Sequence, residues 1–457
     1  MKFTILSPTA ILGYGFPEGS FQRGLEFCPD LIAVDGGSSD PGPHYLGSGK
    51  SFTDRSGVKR DLRIILKAAI PQRIPVVIGT AGGSGARPHL DWTREILHEI
   101  AREEELPFTV AVVASDFDKE YLQERLNQGD FVPLEFDGSL NSQTLEETPW
   151  VVGQLGVESF LPALESGAQV ILAGRAYDPA VFASLPISRG FDKALALHLG
   201  KILECAAIAA SPGSGSDCAL GVLYADSFEL IPLNDERNFT TESVAAHSLY
   251  EKSDPFHLPG PGGTLDLENC RFRNLGRGRV EVRGTRYLPA DSYTLKLEGA
   301  RRVGYRTISI AGIRDPRMIA DLDSILTKVQ GRADMILEKE GVGGQVWFHA
   351  YGRDGVMGAL EPLAKKTIPY EVGLVIDAVA PTQEEANTRC SVIRSTLLHY
   401  GYPGRISTAG NLAFPFSPSD LGAGEVYEFS VYHLLEVTKE DLPGLFPFVI
   451  ETYGGTK

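Results

Sequence analysis

Ile74-Pro75-Val76-Val77-Ile78, followed at once by Gly79-Thr80-Ala81-Gly82-Gly83-Ser84-Gly85, is the run from which the architecture can be read. The first part is short and almost wholly apolar, the pattern of a strand buried on both faces of a parallel sheet. After the glycines, Trp92, Ile96, Leu97 and Ile100 recur at helical spacing. Strand, glycine-rich loop and helix in that order place free backbone N–H groups at a helix N-terminus, which suits an anion. Glycine allows positive φ and close approach to the backbone. The run is neither GxGxxG nor a P-loop, because no Lys-Ser/Thr closes it. It reads as a carboxylate or anion cradle without nucleotide identity, or as a tight strand-to-helix turn.

The same grammar repeats through the first half of the chain. Strand-like runs at 3–6, 31–34, 76–78, 109–114 and 170–173 alternate with helix-like runs at 60–69, 93–104, 119–127 and 157–165. Such alternation predicts an α/β fold with a doubly wound, mainly parallel sheet. From about residue 218 the runs become shorter and β-rich. The order strand–helix–strand–strand–helix–strand from about residue 307 predicts a C-terminal α+β ferredoxin-like sandwich. The expected division is 1–285, an α/β ligand-binding domain with its β-rich extension, and 286–457, the sandwich.

Bulk properties narrow the partners. The chain has 457 residues, 43% of them apolar, with a formal net charge of −16 and no basic block. That balance argues against nucleic acid and anionic membranes as partners. No apolar run approaches the ~20 residues of a membrane-spanning helix. The five cysteines (Cys28, Cys205, Cys218, Cys270, Cys390) are scattered without a CxxC pair, which fits reduced thiols in the cytoplasm. Self-association is expected, with Trp347 and Phe348 among the aromatics that would cover another subunit.

The loops at the strand ends carry the chemistry. Asp35, Ser38 and Asp40 come after the second strand, Gly82, Gly83 and Ser84 after the third, Ser115-Asp116-Phe117-Asp118 after the strand at 109–114, and Arg175, Tyr177 and Asp178 after the strand at 170–173. Ligands of open α/β sheets bind beyond the carboxyl ends of strands, so these loops converge on one edge. Asp35, Asp40, His89 and Asp178 are the candidate catalytic acids and bases. Ser38, Gly82, Gly83, Ser84, Arg87, Arg175 and Tyr177 are the candidate substrate-binding residues, with either arginine able to grip a carboxylate. Asp35 and Asp40 are the pair that would hold a divalent cation such as Mg²⁺. Each also has a plainer reading: Asp as a turn cap, His89 as a satisfied histidine in a helix start, Arg175–Asp178 as a structural pair. Glu251, Lys252 and Asp254 set a lysine beside carboxylates, which suits a base or Schiff-base role, but such a charge run reads first as solvated surface. His349, Tyr351 and Arg353 sit around a strand end of the second half, a position from which they would close over the site. Cys205, among Ala and Ile, reads as a small hydrophobe.

Several segments together resemble the acyclic terpene utilisation (AtuA) family. They are Phe16-Pro17-Glu18-Gly19-Ser20-Phe21, Asp35-Gly36-Gly37-Ser38-Ser39-Asp40-Pro41-Gly42-Pro43, Gly79 through His89, Gly174-Arg175-Ala176-Tyr177-Asp178-Pro179, Leu249-Tyr250-Glu251-Lys252 and Tyr427-Glu428-Phe429-Ser430. The resemblance runs over most of the chain. It implies breakdown of acyclic terpenes through acyl-CoA intermediates, or organic-acid catabolism, and carries no residue roles. The expected function is a catabolic enzyme acting on a small carboxylic acid or acyl-CoA thioester by proton abstraction, as a hydratase, dehydratase or isomerase. The alternatives are a non-catalytic acyl-CoA-binding or accessory subunit, and a nucleotide-dependent transferase or ligase.

Overall fold

A computed structural model describes residues 2–134, 140–363, 367–406 and 409–454. The chain forms two compact units, Met1–Arg301 with Phe429–Lys457, and Arg302–Glu428. The first unit therefore takes back the C-terminal residues, and the second is inserted into it.

Five parallel strands make the centre of the first unit, in the spatial order Phe3–Ser7, Leu31–Asp35, Val76–Gly79, Val170–Ala173 and Phe108–Val113. The α/β reading of the sequence holds, including parallel pairing of Val76 with Val170 and Ile78 with Leu172. Their apolar runs alternate between two cores, as the two-residue period of a strand demands. Leu6, Ile32, Val34, Val76, Ile78 and Leu172 share one core with residues of the helices Arg55–Gln72 and Arg87–Glu103. Ile5, Leu31, Ala33, Val77 and Ile171 share the other with the helices Val157–Glu165, Asp178–Ser188 and Lys193–Leu203. Antiparallel strands extend the sheet on both sides. Ala219–Leu223 pairs with Phe3–Ser7, and Phe448–Tyr453 closes the far edge against Phe108–Val113.

Within the second unit the sheet order is Gln345–Tyr351, Val372–Ala380, then the parts of the strands Tyr293–Ile313 and Asp420–Val437 that fall in 302–428. Val372–Ala380 lies antiparallel to both of its neighbours. With the helices Leu322–Lys339 and Gln383–Leu398 in its core, this is the expected split βαβ sandwich. That core runs from Ala311 to Leu412 and is built wholly of the unit's own residues.

Candidate functional site

Arg175 comes first, because three loops are built around its backbone. Its N–H donates to Ser115 Oγ at 2.7 Å, and the Ser115 hydroxyl donates to the carbonyl of Gly85 at 3.0 Å. The loops after three neighbouring parallel strands are thereby joined. Gly85 is obligatory there: its φ is +72°, and a Cβ would lie 2.0 Å from the Arg175 nitrogen. Thr80, in the same loop, is fully buried and holds a left-handed φ of 39°. That is an uncommon state for a β-branched residue, and such strain collects at functional sites. Its hydroxyl accepts from the Ala176 N–H at 3.3 Å and from Arg175 Nη1 at 3.5 Å.

The Arg175 side chain is then fixed on two sides. Nε donates to Glu298 Oε2 at 2.7 Å, while Nη1 donates to Asp178 Oδ1 at 2.9 Å and to the Ala176 carbonyl at 2.6 Å. Nη2 makes no hydrogen bond among the described residues. Glu298 arrives on the strand Tyr293–Ile313 and is fully buried. Burial works to raise its pKa, but Arg175 and Lys296 outweigh it and hold the carboxyl down at about 2. Lys296 Nζ meets Glu298 Oε1 at 2.9 Å, donates to the Tyr432 hydroxyl at 2.7 Å and lies 4.2 Å from the centre of that ring.

Beside this ion cluster opens a cleft of about 460 Å³. Arg175, Tyr177, Asp178, Lys201, Glu204 and Lys296 are among its walls, with Asp40 and the segment Glu251–Ser253 also on its lining. Lys201 Nζ donates to Glu204 Oε1 and to Glu251 Oε2, both at 2.9 Å. Three carboxyls are pushed above their ordinary range. Burial, then repulsion from Asp178, holds Asp35 well up against the pull of Arg175. Burial raises Asp178 despite its bond to Arg175. Burial lifts Glu204 to about 8 against the pull of Lys201. Asp35 Oδ1 and Glu204 Oε2 are both buried and without a partner. A buried carboxyl in that position favours its protonated form. Burial pushes the Cys205 thiol up to about 12, which favours its protonated form.

The residues singled out in the sequence divide into groups. Asp40, Arg175, Tyr177 and Asp178 line the cleft, and Asp35 lies buried within the field of Arg175 and Asp178. Ser38 serves its own turn, its hydroxyl accepting the Asp40 N–H at 3.2 Å. Gly82, Gly83 and Ser84 are buried in loop packing. A Cβ on Gly82 would meet that of His89 at 2.8 Å, and one on Gly83 that of Phe52 at 2.8 Å, so both glycines are needed for the close packing of the loop. His89 is fully buried; its Nε2 donates to the carbonyls of Tyr45 and Lys50 at 3.1 and 3.0 Å, and burial lowers its pKa. Arg87 stands on a different cavity with Asp116. Among the described residues, the one set of three His, Cys, Asp or Glu side chains gathered within 4.8 Å is His257, Asp266 and Glu268, and Asp35 and Asp40 do not belong to it.

Sequence reasoning passed over Lys201, Glu204, Lys296, Glu298 and Tyr432. Two signals were present. Lys201 and Glu204 are charges three apart at the end of an otherwise apolar helix, and Lys296 and Glu298 alternate onto one face of a strand.

An α/β protein whose central strands end beside a deep, charge-lined, ligand-sized cleft is the class this geometry defines. The chain belongs to the acyclic terpene utilisation family: the model for "Acyclic terpene utilisation family protein AtuA" matches residues 54–214 and 234–416. That membership supports a role in acyclic terpene catabolism. No curated protein and no solved structure matches the chain. Among the described residues no helix is long and apolar enough to cross a membrane.

Proposed function

We propose that the protein is a cytoplasmic catabolic enzyme that moves a proton at the carbon beside the carbonyl of a small carboxylic acid or acyl-CoA thioester. The observation that carries this reading is the pair Glu204 and Asp178 on one cleft. Burial lifts Glu204 to about 8, so it holds its proton at neutral pH; burial raises Asp178 too, while its bond to Arg175 favours the charged form. Both carboxyls are raised, but Asp178 is bonded to an arginine and Glu204 to a lysine it shares with Glu251, so the two can divide the roles of base and acid in one site.

In this scheme the substrate oxygen takes hydrogen bonds from Arg175 Nη2, whose other nitrogens are already fixed, and from the Glu204 hydroxyl. Donors set in place before charge develops stabilise an enolate without reorganisation. Asp178 removes the proton from carbon and returns it there or to a neighbouring carbon; loss of a β-hydroxyl as water is the other outcome of the same enolate. Incubation of the purified protein with small carboxylic acids and their thioesters in D₂O tests this directly. Deuterium is expected at the α-carbon by NMR, slowed about 100-fold or more by Asp178→Asn or Glu204→Gln. Absence of α-exchange with every probe, or full exchange by Asp178→Asn, would sink the proposal.

A further inference from the structure

A second cavity, of about 490 Å³, opens in the first unit, and none of its lining residues is shared with the cleft. Arg87, Asp116 and Lys119 stand on its walls beside the rings of Phe117, Tyr121 and Trp150. The Phe117 and Tyr121 rings are 5.8 Å apart and make a joint apolar surface.

Three needs are unmet there. Arg87 opens the helix Arg87–Glu103, and its backbone N–H donates to Asp116 Oδ1 at 2.9 Å. The helix N-terminus is thus capped by a carboxylate of the protein itself. That bond leaves Asp116 Oδ2 buried and unpartnered, although the carboxyl, raised by burial to about 6, is mostly ionised at neutral pH. A buried acceptor without a donor is costly. The exposed Arg87 guanidinium has no hydrogen bond or ion pair among the described residues. Lys119, by contrast, is partly engaged, donating to the Glu146 carbonyl at 2.6 Å. Finally, the aromatic wall offers a flat surface to a flat ligand.

We infer that this cavity is a second ligand site, for a planar organic anion that also carries a hydrogen-bond donor. Its acid group meets Arg87, its donor meets Asp116 Oδ2, and its flat body lies along Phe117, Tyr121 and Trp150. Guanidinium and carboxylate match as a planar fork, which fixes the ligand's orientation as well as its charge. A bare inorganic anion would satisfy only Arg87, and a neutral ring only the wall. The inference does not rest on the chemistry proposed for the cleft.

Calorimetric titration of the full chain with inorganic phosphate, benzoate and para-aminobenzoate tests it. Para-aminobenzoate is expected to bind about tenfold more tightly than benzoate, with phosphate weakest. Arg87→Gln, at an exposed position, should weaken both carboxylates about tenfold. Asp116→Asn is the sharper variant. The Arg87 N–H retains the side-chain oxygen, so the amide NH₂ takes the place of Oδ2; the amino probe then loses its advantage while benzoate binds as before. Glu204→Gln should leave all three values unchanged, which separates this site from the cleft. Failure of the carboxylates to bind, binding indifferent to Arg87→Gln, or an amino preference that survives Asp116→Asn would overturn the assignment.

Discussion

Glu204 carries a consequence for stability that can be read without any substrate. Its ordinary pKa is 4.5, and in the folded protein burial moves it to about 8. Below 4.5 the carboxyl is protonated in both states and folding is not penalised. Between 4.5 and 8 the folded chain holds a proton that the unfolded chain has released, so stability falls as pH rises. The stabilising contribution is therefore fully present at low pH and lost as pH climbs through the folded value. Glu204→Gln is neutral throughout, and its melting temperature minus that of the wild type should grow across this window and flatten above it. Asp35 and Asp178, also raised, are present in both proteins; Asp35 feels the Glu204 charge, so the gap reports Glu204 together with the relief its neutral replacement gives Asp35. A difference that stays flat from pH 4.5 to 8 would mean that the carboxyl titrates normally. Arg175 and Asp178 were legible in the sequence because they sit beside Gly174 at the end of an apolar run. Glu204 and Lys201 gave a fainter signal, two charges three apart at the end of a mostly apolar helix, which does not say that this end meets a cleft. For Glu298 the alternation with Lys296 gave a strand face, but its burial depends on a partner, Arg175, that lies 123 residues away.

Among the secondary-structure elements, two glycines separate backbone necessity from mere presence. Gly85→Ala forces a Cβ to within 2.0 Å of the Arg175 nitrogen at φ +72°, where neither backbone can yield cheaply. Strain and overpacking together should cost about 3 kcal/mol or more. Gly331 lies exposed within the helix Leu322–Lys339, and a Cβ there would meet nothing within 4 Å. Gly331→Ala should stabilise the second unit by about 1 kcal/mol through helix propensity alone. Urea unfolding of both variants checks the contrast; equal effects would show that the loop repacks around Gly85. The parallel strands were legible because each is an apolar run buried on both faces. Val151–Gly153 was missed, since three residues give no period to read. The hairpin of His257–Gly260 with Gly263–Asp266 was missed because Pro259 and its neighbouring glycines resemble a plain loop. Proline is tolerated there because His257–Gly260 is an edge strand. The glycine loop after Val76–Gly79 was recognised as special, and its glycines let the loop pack closely against Arg175 and His89.

The inserted unit Arg302–Glu428 has a consequence for the molecule as a whole. The two chain ends it would leave behind are held at one place in the first unit. Arg301 Nη1 bonds to Glu147 Oε2 at 2.6 Å, and the hydroxyl of Ser430 bonds to that of the adjacent Thr148 at 2.7 Å. A Cβ on Gly299 would touch the Cβ of Val431 at 3.1 Å, so the two strands run side by side just before the cut. A flexible linker of a few residues, with a root-mean-square reach of about 5–6 Å times the square root of its length, can rejoin them. The cores also respect the division: residues from Ala311 to Leu412 make one, and the two large cores of the first unit include none of them. Replacing 302–428 by a short Gly-Ser linker should therefore leave a cooperatively folding protein that keeps Arg175, Glu204 and Glu298. It should reproduce the pH-dependent gap in melting temperature between Glu204→Gln and its parent. The excised 302–428 fragment should fold by itself, with both helices and the sheet visible by circular dichroism. Loss of the pH-dependent gap in an otherwise folded, shortened protein would show that the inserted unit is needed to keep Glu204 buried. Loss of cooperative folding altogether would show that the long strands Tyr293–Ile313 and Asp420–Val437 must be continuous for the first unit to stand.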